Sequence, residues 1–234
     1  MPSKFWKWNV ITEMFNPVDI YAAQHPLLKL SLISGIAPLK LIGTPGNRRL
    51  QINFFGFIIV LLHLVLFGIC YVRTITIHES IVSYFFKTEI SVLGDTLQLC
   101  IGLIGICTVF LYSLIQRNKF ILWFHLMARI DDQLKEIGIE TDYKSTLRFI
   151  FLVLFIKFIF FNTYLTGSWI LFKTAGIYPN FSCWVSFFMP HLMISIIVVL
   201  FLCLVKQMKH RFLLLNKVSC FLLLQYKIFL SEKS

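Results

Sequence analysis

Four long apolar stretches limit the fold of this chain more than any other feature. They cover residues 52–72, 91–115, 149–171 and 183–205. Each has about the 20 residues that a helix needs, at a rise of ~1.5 Å per residue, to cross a hydrocarbon core of about 30 Å. Asp95 and Gln98 interrupt the first turns of the second stretch, which still has the length of a span. The sequence therefore predicts an all-α, polytopic transmembrane helical bundle with four spans.

The composition makes lipid the expected environment of these stretches. With 58% hydrophobic and 14% charged residues, the 234-residue chain has more apolar surface than one soluble core of this length can bury. Its formal net charge of +11 is explained by membrane topology and contact with an anionic inner leaflet. Nucleic-acid binding would need a soluble basic domain, for which the chain has no room. We therefore expect the lipid bilayer, and no nucleic acid, among its partners.

A fifth apolar segment, Leu27 to Gly43, precedes the first span. It is short for a crossing and is broken by Lys29, Pro38 and Lys40. These features favour an interfacial or re-entrant helix over a span. The sequence thus predicts an N-terminal helix that lies at the membrane without spanning it.

The basic residues predict the orientation of the four spans. The segment before the first span, the second connecting loop and the tail after the fourth span each carry six Lys or Arg residues, whereas the first loop carries two and the third loop one. Basic loops remain on the cytoplasmic side of a membrane. We therefore expect a multi-pass protein with both termini in the cytoplasm.

One candidate glycosylation site agrees with this orientation. Asn180-Phe181-Ser182 is the only N-x-S/T triplet in the chain, and it lies in the third loop. The charge bias places that loop outside, where such a triplet is accessible to glycosylation. Asn180 is therefore predicted as the acceptor, although triplets of this kind also arise by chance.

Two ionisable residues fall inside the predicted spans, where charges are costly and often functional. Asp95 lies about one turn from the outer end of the second span, and Lys157 about nine residues from the inner end of the third. Their backbones differ in depth by roughly 10 Å for a helical rise of ~1.5 Å and a core of ~30 Å. A direct pair is one interpretation. Snorkelling of Lys157, or shelter by another helix, is favoured over it.

No pattern in the chain indicates catalysis or metal binding. The motifs H-E-x-x-H, G-x-S-x-G, G-x-x-x-x-G-K and G-x-G-x-x-G do not occur. His63 and His191 each stand alone in an apolar stretch, where a histidine is more often packed and hydrogen-bonded than a ligand. We therefore predict no enzyme, no metal and no cofactor.

An acidic segment, Ala128 to Arg148, separates the second and third spans. It contains five of the eleven acidic residues of the chain. Ile130, Leu134 and Ile137 recur within it at near-helical spacing, and Gly138 is predicted to end the helix. This pattern favours a helical extension of the second span, projecting into solvent, over a dedicated partner site.

Three short elements resemble a known family. They are G-I-A-P at Gly35–Pro38, I-D-D-Q-L at Ile130–Leu134 with Gly138 after it, and V-K-Q-M-K-H-R-F-L-L-L-N-K at Val205–Lys217, which contains R-F-x-x-L-N. Together with the predicted cytoplasmic amino terminus, they are similar to insect gustatory receptors, which are chemoreceptors with seven spans and an inverted topology. The resemblance covers Met1 to about Lys217.

The resemblance implies a ligand-gated cation channel of the plasma membrane. Such a receptor senses small-molecule tastants and assembles as a homo- or hetero-oligomer of related subunits. By family analogy the ligand pocket includes the outward halves of the third and fourth spans, where Tyr164, Trp169 and His191 lie. An interfacial aromatic belt is the favoured alternative for the two aromatic residues.

The chain departs from the family pattern after the fourth span. Members end in a span with the pattern T-Y-x-x-x-x-x-Q-F, which does not occur here. We therefore interpret residues 1–217 as the N-terminal part of such a transmembrane domain, truncated after the fourth span, and residues 218–234 as a divergent cytoplasmic tail. A chain without the pore helix is not expected to conduct alone. An insect odorant receptor fragment and a non-receptor membrane subunit with a structural or transport role are the alternative assignments.

Overall fold

Four long helices dominate the fold. The computed structural model describes residues 16–44, 46–77 and 89–231, without the side chains of residues 89–92, 95 and 220–231. In chain order, its elements are α1 (Ile20–Ile33), β1 (Leu39–Ile42), β2 (Arg49–Ile52), α2 (Phe54–Thr76), α3 (Glu89–Glu136), α4 (Tyr143–Thr174) and α5 (Phe181–Ser231). Helices α2 to α5 are long and apolar enough to cross a membrane. The predicted all-α transmembrane bundle with four spans is confirmed.

The four helices alternate in direction, so the bundle has two distinct ends. We call the end that carries the β1–β2 hairpin, the start of α4 and the end of α3 the hairpin end. The opposite end, where α2 and α4 finish and α5 begins, is the far end. Helices α3 and α5 have 48 and 51 residues and are therefore ~72 and ~76 Å long, well over the ~30 Å of a hydrocarbon core. Most of their excess length lies at the hairpin end.

Helix α1 enters the bundle at the hairpin end and does not cross it. Leu27 packs in one cluster with Val199 of α5. Gly35 then reverses the chain with a φ of 73°, and the Arg48 side chain returns to 3.4 Å from that of Asp19, the N-cap of α1. Helix α1 and the turn after it therefore enter and leave the bundle at the same end, and the interfacial or re-entrant placement of this segment in a membrane stays a prediction.

The predicted bounds of this segment, Leu27 to Gly43, are wrong. The helix ends at Ile33, and the chain continues as strand β1, which pairs antiparallel with β2 and places its first residue opposite Ile52. Gly35 ends the helix with its positive φ, and the amide of Ile36 donates to the carbonyl oxygen of Ser31 at 2.9 Å. Pro38 then disfavours a helical conformation of the residue before it. Buried and more exposed side chains then alternate along both strands, as expected of a ribbon with one face on the core.

Three clusters of buried apolar residues form the core. The first joins α1, the hairpin and α3; the second joins α1, α4 and α5; the third joins α2, α3 and α5. Because α1 contributes to two of the three, it fills the space that the longer helices leave at the hairpin end. Ala23 and Gln24, in the middle of α1, are 0% exposed.

Helix α3 continues beyond its predicted span and ends as expected at Gly138, which has a φ of 84°. The amide of Ile139 donates to the carbonyl oxygen of Leu134 at 2.9 Å and closes the last turn. The predicted helical extension is confirmed, but its projection into solvent is wrong for one face, which packs on α1, α4 and α5. The buried residues of this face are Phe124, Met127, Asp131 and Leu134.

Candidate functional site

A cavity of about 450 Å³ lies between α2, α3 and α5, in the half of the bundle nearest the far end. Its walls are mainly apolar. The polar side chains on them are Thr74, Gln98, Ser186 and His191. Small-molecule sites typically measure about 300–1,000 Å³ and combine apolar walls with a few polar groups. Within the described part of the chain, this cavity is the best candidate for a ligand site, and we call it the far-end cavity.

Two hydroxyl groups form its polar edge. The Thr74 hydroxyl donates to the carbonyl oxygen of Cys70 at 2.8 Å and lies 3.2 Å from the hydroxyl oxygen of Ser186. Because the Thr74 proton is used within α2, Ser186 is the donor between the two hydroxyls. Both oxygen atoms retain the capacity to accept a hydrogen bond from a ligand. Half-buried Gln98 on the facing helix adds amide donors and an acceptor.

His191 has one ring nitrogen engaged with its own helix. Its Nδ1 lies 2.8 Å from the carbonyl oxygen of Phe187. A carbonyl oxygen only accepts, so this contact requires the proton on Nδ1 and leaves Nε2 of the neutral ring as an acceptor. His191 can therefore orient a ligand that carries a hydroxyl or amine proton.

Small residues create the space between α3 and α5. Gly94, Gly102 and Gly105 line the far-end cavity on the α3 side. A Cβ atom on Gly102 would lie 3.3 Å from Cγ of Pro190, so the two helices approach closely at this level. Pro190 has no amide hydrogen, and the carbonyl oxygen of Ser186 therefore lacks its usual donor within the helix.

The three residues proposed for a pocket from the sequence lie in the same half of the bundle, but in different surroundings. His191 lines the far-end cavity, whereas Tyr164 and Trp169 are not on its walls. Their rings lie in a neighbouring aromatic cluster, where Tyr164 is 5.2 Å from Phe188 and Trp169 is 6.2 Å from Trp184. The Tyr164 ring is 6.4 Å from that of His191. The role of these residues in ligand binding stays a prediction.

Asn180 and Lys157, two further predicted site residues, lie apart from each other. Asn180 is exposed at the far end, and its carbonyl oxygen accepts hydrogen bonds from the first turn of α5. Its glycosylation stays a prediction. Lys157 is half-buried near the middle of α4. The Asp95 side chain lies outside the described residues, so a pair between these two charges also stays a prediction.

A buried salt bridge at the hairpin end was not anticipated from the sequence. Arg211 of α5 donates to Asp131 of α3 through Nε at 2.8 Å and Nη2 at 2.6 Å, and the two side chains are 6% and 4% exposed. The hydroxyls of Tyr143 and Thr141 donate to the same carboxylate at 2.9 and 3.4 Å. Bidentate pairing and the additional donors offset the cost of burying the two charges.

The sequence contains one signal that could have identified this pair. Asp131 lies about one turn from each of the buried residues Met127 and Leu134, and Arg211 lies one turn beyond buried Gln207. Each charge therefore occupies a core position of an otherwise buried helical face. Since an isolated buried charge is very costly, the two charges of opposite sign are each other's expected partners.

The elements that carry the family resemblance have structural roles. Asp131 belongs to I-D-D-Q-L and Arg211 to R-F-x-x-L-N, so the salt bridge joins two of the three elements directly. In G-I-A-P, the Ile36 carbonyl oxygen accepts a hydrogen bond from the Ser113 hydroxyl of α3. Pro38 of the same element packs against α2. None of the three elements lines the far-end cavity.

A polar cleft surrounds the outer side of α1 at the hairpin end. It is lined by five Lys or Arg and five Asp or Glu residues, so its formal charges balance. Burial raises the pKa of Tyr21, and the nearby Asp19 carboxylate raises it further. His25 lies further along α1 and does not line the cleft. Burial lowers its pKa, and the positive charges of Lys29 and Arg48 lower it further. The balanced cleft does not select a ligand by the sign of its charge.

Comparison with known proteins finds similarity along most of the chain. Residues 24–227 match the sequence model of the 7tm chemosensory receptor family. Gustatory receptor 28a of Drosophila melanogaster is 29% identical over 219 residues, which are 93% of this chain and 47% of that protein. Gustatory receptor 28b of the same species is 25% identical over 203 residues, which are 86% of this chain and 43% of that protein. The chain thus spans slightly less than half the length of these curated relatives.

Proposed function

Because the chain belongs to the 7tm chemosensory receptor family, we propose that it is part of a gustatory receptor that binds a small-molecule tastant in the far-end cavity. It is a multi-pass membrane protein with four candidate spans, and the two relatives described above are gustatory receptors. The observation that carries the proposal is the cavity itself, with a volume of about 450 Å³ and few polar groups.

The lining of the far-end cavity favours a compact, largely apolar ligand with one or two hydrogen-bonding groups. Its apolar part would face Ile101, Ile106 and Met193. A donor on the ligand would reach the hydroxyl oxygens of Thr74 and Ser186, whose own protons are engaged. A strongly charged ligand would have no ion partner among the described lining residues and would lose its hydration at a high cost.

A thermal-unfolding assay on the purified chain in detergent tests this proposal. The probes are menthol, which is apolar and has one hydroxyl group, fructose, which is strongly polar, and denatonium, which is charged. A ligand present at 100 times its Kd stabilises the folded state by about 2.7 kcal/mol. We expect such a stabilisation with the most apolar probe, and its loss in Ser186→Leu, which fills the cavity.

Ser195→Leu is the matched control, because Ser195 lies on the same helix and does not line the far-end cavity. The control variant should keep the stabilisation by the probe. A stabilisation that survives in Ser186→Leu, or is lost equally in both variants, would contradict the proposed site.

We further propose an orientation and a channel function. The protein would lie in the plasma membrane with its hairpin end in the cytoplasm. The excess of Lys and Arg in the loops at that end supports this orientation.

The resemblance to gustatory receptors supports a ligand-gated cation channel assembled from several related subunits. Because the T-Y-x-x-x-x-x-Q-F pattern does not occur in these 234 residues, we propose that they do not conduct by themselves. Patch-clamp recordings of the chain alone and with gustatory receptor 28a test this point, and a tastant-evoked current from the chain alone would refute it.

A further inference from the structure

A second cavity of about 490 Å³ lies between α3 and α5, on the hairpin side of the far-end cavity. It is lined by α3 between Thr108 and Phe120, by α5 between Ile197 and Leu204, and by the turn Ile36–Leu39. The hydrogen bond from Ser113 to the Ile36 carbonyl oxygen fixes this third wall on α3. Val109 lines both cavities, so the two adjoin each other along α3.

The second cavity is apolar along most of its length and cationic at one end. Gln116 and Arg117 are its last polar residues on α3 toward the hairpin end. The predicted spans end at residue 115 on α3 and at residue 205 on α5, so this polar end lies where the hydrocarbon core meets water. The remainder lies at the depth of the lipid acyl chains. An apolar body and a cationic mouth at this depth fit a molecule with an apolar tail and an anionic head.

Arg117 is placed to receive such a head. It is half-buried, and its guanidinium carbon lies 5.4 Å from the ring centroid of Phe57 on α2. No described carboxylate lies within ion-pair distance of Arg117. A guanidinium held on an aromatic ring still presents its edge, with several N–H donors, to a phosphate. Its uncompensated charge attracts anionic head groups within a Debye length of the membrane surface.

We propose that the second cavity binds one acyl chain of an anionic phospholipid whose phosphate is held by Arg117. Moving an acyl chain from the bilayer into an apolar cavity gains little, because both environments are apolar. The head group must therefore determine the preference. The contribution of one cation near the membrane surface corresponds to about a fivefold preference for phosphatidylserine over phosphatidylcholine. This inference does not depend on the tastant site.

Native mass spectrometry of the purified 234-residue chain tests the head-group contact. The chain is equilibrated with phosphatidylserine or phosphatidylcholine of identical acyl chains, and the lipid that remains bound is counted. We expect about a fivefold preference for phosphatidylserine, and loss of that preference in Arg117→Gln. Lys119→Gln is the matched control, because Lys119 is exposed two residues further along α3 and does not line the cavity.

A second pair of variants tests the acyl-chain contact. Ile197→Trp places a large ring in the cavity and should lower the retention of both lipids. Val198→Trp introduces the same ring at an exposed position of α5 outside the lining and should leave retention unchanged.

A further variant supports the head-group test. Arg117→Lys keeps the positive charge at the cavity mouth and should retain part of the preference for phosphatidylserine. It keeps that test decisive if Arg117→Gln does not fold.

Four results would overturn the proposal. One is equal retention of the two lipids by the wild-type chain. Another is the same loss of preference in Lys119→Gln as in Arg117→Gln, which would indicate a diffuse surface charge. The third is unchanged lipid retention in Ile197→Trp. The last is a dimer in the wild-type spectrum that disappears in Ile197→Trp, because a second copy of the chain would then occupy the cavity.

Discussion

The buried carboxylate of Asp131 is stable inside the bundle because Arg211 lies beside it. Each charge has lost most of its hydration, and each side chain is at most 6% exposed. The attraction between the two charges, with the donors from Tyr143 and Thr141, offsets that loss. Removal of one partner leaves the other charged, buried and without its counter-ion, which costs more than the pair itself contributes.

We predict that Asp131→Ala lowers the free energy of unfolding by about 3–5 kcal/mol. Chemical unfolding of the chain in detergent, followed by tryptophan fluorescence, measures this change. Asp132→Ala, at the exposed neighbouring position, should change it by less than about 0.5 kcal/mol. The double variant Asp131→Leu, Arg211→Met should recover most of the loss, since no charge is then buried. Equal effects of the two alanine variants would show that the pair contributes little.

His25 predicts a pH dependence of stability. Burial lowers its pKa in the folded chain, whereas in the unfolded chain the pKa is near 6.5. Below about pH 6.5 the unfolded chain therefore binds more protons at this residue, and stability falls as the pH is lowered toward the folded-state pKa. In His25→Gln, the midpoint temperature of unfolding should depend less on pH in this range. At higher pH it should equal that of the unsubstituted chain. Parallel profiles of the two proteins below pH 6.5 would disprove the assignment.

At the residue scale, the sequence predicts the general surroundings of a side chain better than the particular residues that it contacts. His191 lines the far-end cavity, and its role in ligand binding stays a prediction. Thr74, Gln98 and Ser186 were not identified, because their contacts depend on how α2, α3 and α5 pack, which spacing along one helix does not specify. The pairing of Asp131 with Arg211 joins residues 80 positions apart. It could have been inferred only from the occurrence of both charges on buried faces.

At the scale of elements, the bilayer makes the long helices predictable. A span must be apolar over about 20 residues, and all four such stretches lie in helices that could cross a membrane. The N-terminal elements follow weaker rules. Helix α1 contains Pro26 and lacks a strong apolar face, and the alternating pattern of strand β1 extends over only four residues. The hairpin was therefore missed, although Gly35 follows the end of α1 by two residues and a glycine is common just after a helix.

The contact between α2 and the turn Ile36–Leu39, which joins α1 to β1, predicts the effect of a substitution at Gly56. A Cβ atom on Gly56 would lie 2.7 Å from the Cα atom of Pro38, so even Gly56→Ala requires a backbone shift and should lower the free energy of unfolding by about 1–3 kcal/mol. Gly68 lies on the same helix with nothing within 4 Å of the equivalent position. Gly68→Ala should be neutral or stabilising, because alanine favours a helix by up to about 1 kcal/mol over glycine. Chemical unfolding in detergent compares the two variants, and a loss as large in Gly68→Ala would point to a general helix effect.

At the scale of the whole molecule, the family assignment made from three short elements is confirmed by the match over residues 24–227. Those elements lie in α3, in α5 and in the turn between α1 and β1, where they form contacts within the bundle, so they report the fold. The far-end cavity is built from other residues. A sequence can therefore identify the family of this chain through its framework while leaving the ligand undetermined.

The proposed orientation predicts where the chain is glycosylated. When the protein is expressed in insect cells, Asn180 should carry a glycan that is absent from Asn180→Gln and is removed by an endoglycosidase. In the Asn180→Gln background, Ile139→Asn creates an N-x-T triplet at the hairpin end, which should remain unmodified. Gel mobility before and after deglycosylation measures both. A glycan on the engineered triplet together with none on Asn180 would reverse the orientation.

The close approach of Gly102 to Pro190 also has a mechanical consequence. Along α3 this contact lies ~12 Å from Gly94, on the wall of the far-end cavity, and ~43 Å from Asp131, at ~1.5 Å per residue. If α3 pivots there as a rigid lever, Asp131 moves about three to four times as far as Gly94. A shift of a few tenths of an ångström at the wall would then become about one ångström at the salt bridge. Under such a rotation the Gly94 end of the cavity wall and the pair at the hairpin end would be the short and long arms of one lever, with Gly102, on the same wall, as its fixed point.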